Sequence, residues 1–281
     1  MMQTIMNIPS RFWADWTTTD FAQIDSSSLV AVLPVGAIEQ HGPHLPLSVD
    51  ADLTAGLVQA CLPHLTEDAQ VVFLPAQVLG YSPEHAAFAG TLTLKAETVM
   101  RMWTDIAESV AAAGVKKLVI FNSHGGQVSM MDVVARDWRA RLGLLVYSVS
   151  WFNLPLLDET GQDVSALFSP QEHRFGVHAG DMETSMMLAL RPELVRMDRA
   201  QHFHSSAQER AARYPLLGNG KSAKLAWQMQ DYNLQGAAGN AAAATAEKGQ
   251  ALVQAAARSL ARLLAEVQSL PADTLQSSIQ A

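Results

Sequence analysis

Four apolar, β-branched runs punctuate this chain: Leu29–Val35, Val71–Pro75, Leu118–Phe121 and Leu144–Val149. Helical segments alternate with them at Ala51–Leu62, Ala96–Ala113 and Val128–Ala140, and a further one follows at Met182–Leu190. Strands that are apolar along their whole length need cover on both faces, and the alternating helices supply it. The pattern predicts an α/β fold with a largely parallel sheet between helices. In Ala96–Ala113, Val99, Met102, Trp103, Ile106 and Val110 recur at three- and four-residue spacing, the stripe of a helix facing a core. The alanine-rich stretch Ala237–Glu266 reads as a long helix with Leu252, Ala256, Leu260 and Leu263 on one side. Residues 200–238 read as an irregular excursion, placed either over a site or at a subunit contact. No internal repeat or boundary interrupts the chain. It is expected to form one domain over 1–281, with its core at about 10–265 and a loosely held tail at Ser269–Ala281.

Three polar blocks stand at element boundaries. Directly after the first apolar run comes Glu39-Gln40-His41-Gly42-Pro43-His44-Leu45-Pro46-Leu47-Ser48-Val49-Asp50. Glycine and two prolines keep this loop from becoming a helix, so its carboxylates and imidazole can converge. Asn122-Ser123-His124-Gly125-Gly126-Gln127 follows the third run, and His178-Ala179-Gly180-Asp181-Met182-Glu183 opens a helix. Open parallel sheets bind ligands at the carboxyl ends of their strands, where these blocks lie. Mixed imidazole and carboxylate donors suit divalent transition metals. For Asp50 a second reading stands, as a carboxylate stabilising a helix N-terminus. Gly125-Gly126 reads equally as an oxyanion-binding turn or a plain strand-to-helix turn, and Trp151-Phe152-Asn153 as a pocket wall or as core.

Composition narrows the partners. A net charge of -8, with one lysine pair, Lys116-Lys117, excludes a phosphate-binding surface for nucleic acid. Only 16% of residues are charged against 49% hydrophobic, which suggests surface hidden in an oligomer. Cys61, the single cysteine, lies in an apolar helical stretch and is expected to be a buried, inert thiol. Neither a signal peptide nor an apolar run of membrane-spanning length is present, so the expected location is the cytoplasm.

The three blocks, together with Glu84-His85 and Phe88-Ala89-Gly90-Thr91, resemble those of the creatininase family in order and spacing from about residue 10 to 265. The resemblance implies a three-layer α/β/α sandwich with a mostly parallel central sheet, and a metal-dependent hydrolase of small cyclic amides and related C–N bonds. It also implies a two-metal centre of zinc or manganese, with iron(II) possible, in a homohexamer. By the same resemblance Glu39 and His124 bind one ion, His41 binds the other, Asp50 bridges them, and His178 is the acid/base. Creatininase carries a metal-binding glutamate two residues after the histidine matching His124. Gly126 stands there in this chain, which argues against creatinine as substrate and leaves the second ion in need of another carboxylate or an extra water. Glu183, in the first turn of a helix, is the candidate.

The expected chemistry follows. Paired divalent ions lower the pKa of water from 15.7 to about 7, giving a bridging hydroxide at neutral pH, and polarise the carbonyl it attacks. His178 then protonates the departing nitrogen. The expected substrate is a small cyclic amide, lactam or formamide. Alternatives are a peptidase, a C–C hydrolase of a cyclic ketone, or a non-catalytic metal-stabilised scaffold.

Overall fold

In the computed structural model, which describes residues 8–276, the four apolar runs form parallel strands β1 (Val30–Val35), β2 (Val71–Phe73), β3 (Lys117–Asn122) and β4 (Leu145–Ser150). They lie in the order β2-β1-β3-β4, with Val30 opposite both Val71 and Lys117, and Lys117 opposite Leu145. The described helices are α1 (Thr18–Gln23), α2 (Val49–Cys61), α3 (Ala96–Ala112), α4 (Val128–Leu142), α5 (Pro170–Phe175), α6 (Asp181–Leu190), α7 (Ala207–Arg213) and α8 (Ala246–Ser269).

The two-residue period of a strand divides the apolar residues between two cores. Val30 and Val32 of β1, with Val119 and Phe121 of β3, face a cluster built from α2, α6 and α8. Ala31, Leu33 and Val35, with Leu118 and Ile120, face a second cluster built from α3 and α4. Trp103 and Trp138 are fully buried in that second cluster. The result is a three-layer α/β/α sandwich, as expected.

The alanine-rich segment departs from its expected course. Residues 237–245 are not helical: Gly239–Asn240 pair as strand β6 with β5 (His202–Phe203), and Ala241–Ala243 form a 3-10 turn. Gly239 has φ 143°, a conformation only glycine adopts freely. The helix starts where Thr245 accepts a hydrogen bond from the Lys248 N–H at 3.3 Å. Alanine propensity is thus overridden by a cap and by pairing, and the freed segment lies beside His178, whose carbonyl accepts from the Ala238 N–H at 2.8 Å.

Residues 270–276 are held at the start of β3 and by α4. There Lys117 Nζ donates to the carbonyls of Gln268 and Leu270, and Arg139 to that of Gln276. The remainder of the tail expected to be loose, 277–281, lies outside the described residues.

Candidate metal centre

All six residues singled out in the sequence lie together at the carboxyl ends of the strands. Glu39 and His41 sit in the loop after β1, His124 directly after β3, and Asp50 in the first turn of α2. His178 precedes α6, and Glu183 lies in its first turn. No side-chain capping bond is made at Ser48, so Asp50 turns inward to the imidazoles. Its nearby helix N-terminus still favours a negative charge there.

The protons on the imidazoles can be placed from their partners. His41 Nδ1 lies 3.0 Å from the Glu39 carbonyl, which only accepts, so Nδ1 carries the hydrogen and Nε2 presents a lone pair. That lone pair faces Asp50 Oδ1 at 3.7 Å, Glu39 Oε1 at 3.9 Å and Glu183 Oε2 at 4.0 Å. His124 repeats the arrangement in reverse. Nε2 donates to the Tyr81 carbonyl at 2.9 Å, leaving Nδ1 to face Asp50 Oδ2 at 3.1 Å and Glu39 Oε2 at 3.3 Å.

Lone pairs aimed at carboxylate oxygens repel unless a cation lies between them. His41 Nε2 and Asp50 Oδ2 are buried without any hydrogen-bond partner. Among the described residues the ion-pair partners of Glu39 and Asp50 are all histidines, with no lysine or arginine. Ligands about 2.1 Å from an ion stand roughly 3–4 Å apart, which is the spacing found here. Both carboxylates divide their oxygens between His41 and His124, the arrangement a bridging ligand requires. Among the described residues three compact groups satisfy the metal-ligand spacing: Glu39–His41–His178, Glu39–Glu84–His124 and His41–Asp50–Glu183.

Without an ion, protons hold these places. Burial disfavours a charged His41, but the facing carboxylate of Asp50, followed by those of Glu183 and Glu39, raises its pKa to about 9. His124 moves well above 6.5 for the same reason, against its burial, with Glu39 and Asp50 as the facing anions. Burial pushes Glu39 and Asp50 up, yet the imidazoles, His124 foremost, outweigh it and bring both to about 2. Glu183 is raised to about 7, chiefly by burial.

His178 differs from these two. Its Nε2 donates to the Gln40 carbonyl at 2.7 Å, leaving Nδ1 basic, 3.7 Å from Glu39 Oε1. The ring is sandwiched between His41 and His85, with centroids 4.1 Å away on each side. Burial, then the neighbouring His41 and His85, hold its pKa well below 6.5, so the ring is neutral. Glu183 Oε2 accepts from the Ala179 N–H at 2.6 Å, so it closes its helix end and faces His41 at once.

Several parts of the site were not assigned from sequence. Ser82 donates to Glu39 Oε2. Gln40 Oε1 accepts from the Gly42 N–H, which turns Nε2 to donate to His85 Nδ1 at 2.6 Å; His85 Nε2 then points to Glu39 Oε1 at 3.4 Å. Glu84 lies beside His124. The place of Glu84-His85 among the blocks that carry the family resemblance was the one available signal, and it did not reveal either role. Other expectations resolve simply. Cys61 is buried and free, with burial pushing its thiol up to about 12. Trp151 packs in the core. Gly126 offers no open oxyanion site, because the Glu84 carboxylate covers it.

Comparison with known proteins identifies the family. The family model for creatininase, described as creatinine amidohydrolase, matches residues 14–264. The chain belongs to the creatininase family. It is 33% identical over 185 residues to the mycofactocin precursor peptide peptidase of Mycobacterium tuberculosis (strain CDC 1551 / Oshkosh), covering 63% of this chain. That match spans 65% of the peptidase, just under two thirds of its length. Identity to the creatinine amidohydrolase of Pseudomonas putida is 28% over 188 residues, 63% of this chain and 70% of that one. Two solved creatininase-family structures share the fold. One, from Bacteroides fragilis NCTC 9343, has a TM-score of 0.73 at 24% identity, covering 95% of this chain and 99% of its own. The other, a manganese creatininase, has a TM-score of 0.71 at 24% identity, covering 92% and 98%.

Proposed function

We propose that this creatininase-family chain is a metal-dependent hydrolase of an amide C–N bond, working with two divalent ions, zinc or manganese. The observation that carries the reading is the pair of buried lone pairs, His41 Nε2 and His124 Nδ1. Each is fixed by a carbonyl behind it and aimed at carboxylate oxygens shared between Glu39 and Asp50. His41, Asp50 and Glu183 would hold one ion and Glu39, His124 and Asp50 the other. Bound there, the ions would acidify water and polarise the amide carbonyl.

The chain's own groups supply the proton movements. Neutral His178 has a basic Nδ1 beside Glu39 and an Nε2–H committed to Gln40. It can therefore take a proton at Nδ1 as water attacks and return it to the departing nitrogen, which leaves poorly as an anion. Stacking against His41 and His85 fixes the plane of the ring during both transfers. The predicted test is chelation followed by reconstitution. Dialysis against a chelator should abolish amide hydrolysis, and Zn²⁺ or Mn²⁺ should restore it. His178→Ala should keep two ions per chain and lose roughly 10²–10⁴ in kcat. Loss of an ion from that variant would recast His178 as a ligand; full activity after chelation would sink the metal reading.

The small cyclic amide is the leading substrate class, with cleavage near a peptide end as the second reading. The mycobacterial relative named as a peptide peptidase favours the second, and so does a cavity of about 290 Å³ lined by Arg174, Arg210, Val177, Lys224 and Trp227. Arg174, Arg210 and Lys224 give that lining the positive charge that a terminal carboxylate would meet. Turnover of peptides with a free, but not an amidated, C-terminus would select that reading over the cyclic amides. The same proposal makes the chain a subunit of a homo-oligomer, six copies by family resemblance.

A further inference from the structure

Gly126 lies in the 3-10 turn Gly125–Gln127 that follows His124. Its φ is not positive, so backbone freedom does not explain the glycine. Space does. A Cβ at 126 would collide with Glu84 Oε1 and stand 2.6 Å from His124 Nε2, whereas one at Gly125 would meet nothing within 4 Å. The recess over Gly126 is the seat of the Glu84 carboxylate.

That carboxylate is brought from a different strand end, by the turn Pro83–His85 beyond β2, and its side chain is only 11% exposed. Among the described residues the one ion-pairing group near it is His124, whose Nε2 is 3.5 Å away and already donates to the Tyr81 carbonyl at 2.9 Å. A buried carboxylate with so few partners is stabilised by a further cation. Glu84 also stands with Glu39 and His124 in a group whose ligand atoms all lie within 4.8 Å of one another. On the opposite side of the cluster Glu183 faces His41, so the centre has an additional carboxylate at each end.

We propose that Glu84 is a metal-binding carboxylate on the Glu39–His124 side of the centre, and that Gly126 is kept free of a side chain to seat it. The proposal rests on the two-ion reading above. It also adds to the expectation drawn from the sequence, where Glu183 was the candidate for the ligand that position 126 lacks and Glu84 had no role.

The test is Glu84→Gln in the full chain, which keeps the shape filling the recess and removes the charge. Metal content after gel filtration, chelator-competition affinities and the visible spectrum of the Co²⁺-loaded protein are read. Wild type should hold two ions; Glu84→Gln should hold one unchanged and the other about tenfold or more weakly, with altered cobalt bands. Glu84→Asp, which withdraws the charge by one carbon, should fall between them and serves if the amide variant is insoluble. Wild-type affinity for both ions in Glu84→Gln overturns the proposal. Weaker binding with an unchanged cobalt spectrum also overturns it, making Glu84 a support for the His124 ring. A wild-type protein that binds no divalent ion would instead defeat the functional reading beneath it.

Discussion

His44 shows how a histidine can be near the centre and serve the fold. It is three residues beyond His41 but turns away: Nε2 meets Thr184 Oγ1 at 2.9 Å and the ring stacks on Phe203, centroids 5.3 Å apart. Burial, then the neighbouring His41, pushes its pKa down to about 4. In the unfolded chain the value is about 6.5. As pH falls, the unfolded chain therefore takes up this proton first, and stability is lost from about pH 6.5 down to about pH 4. The linkage amounts to roughly 2 kcal/mol by pH 5. Urea unfolding at pH 7 and pH 5 should show that much less loss for His44→Gln than for wild type. Equal losses would mean that His44 titrates alike in both states.

At the scale of elements, Glu172 organises the approach to His178. It is a buried carboxylate in α5 whose Oε1 accepts from the Asp181 N–H at 2.7 Å and whose Oε2 accepts from the Asn240 N–H at 2.9 Å. It thus joins the start of α6 to β6, the two elements between which His178 is held. A carboxylate at a helix N-terminus is favoured electrostatically, and its two oxygens satisfy donors that would otherwise be buried alone. Glu172→Gln replaces one acceptor with a donor, so one of those N–H groups faces a like group. The expected cost is about 1–3 kcal/mol in denaturant unfolding. A midpoint equal to wild type would show that the strap is held by other contacts. None of this was legible in the sequence, where Glu172 is one acid of a short polar helix and residues 237–245 look helical. Strands and long helices were legible because their burial pattern is written locally. The strap depends on a partner 68 residues away.

For the whole molecule, strand topology explains why most of the site could be read in advance. A parallel sheet sends every loop that follows a strand to the same edge, so blocks after β1 and β3 must meet. Glu39, His41, Asp50 and His124 follow from that rule. The same rule brings Glu84 to that edge in the loop after β2, but not to its seat beside His124, because the recess that admits it is a missing side chain at Gly126, and an absence in one loop says nothing of which other loop fills it. The same edge is covered by the excursion after β5, where Trp227 stands edge-on to His85, centroids 6.2 Å apart. This cover is unusually apolar on its outside. Leu216, Leu217, Leu225 and Leu234 are 53–83% exposed, in a chain of which only 16% is charged. Exposed leucines concentrated in one segment mark a surface that a partner covers, and a further copy of the chain is the partner the proposed homo-oligomer supplies. Sedimentation equilibrium should therefore give a mass of several chains, six on the family resemblance. Replacing Leu216 and Leu217 together by Glu should lower it while each chain keeps its two ions, since neither residue touches the centre. A wild-type mass of one chain would show that these leucines face solvent, and would leave the low charge content without this explanation.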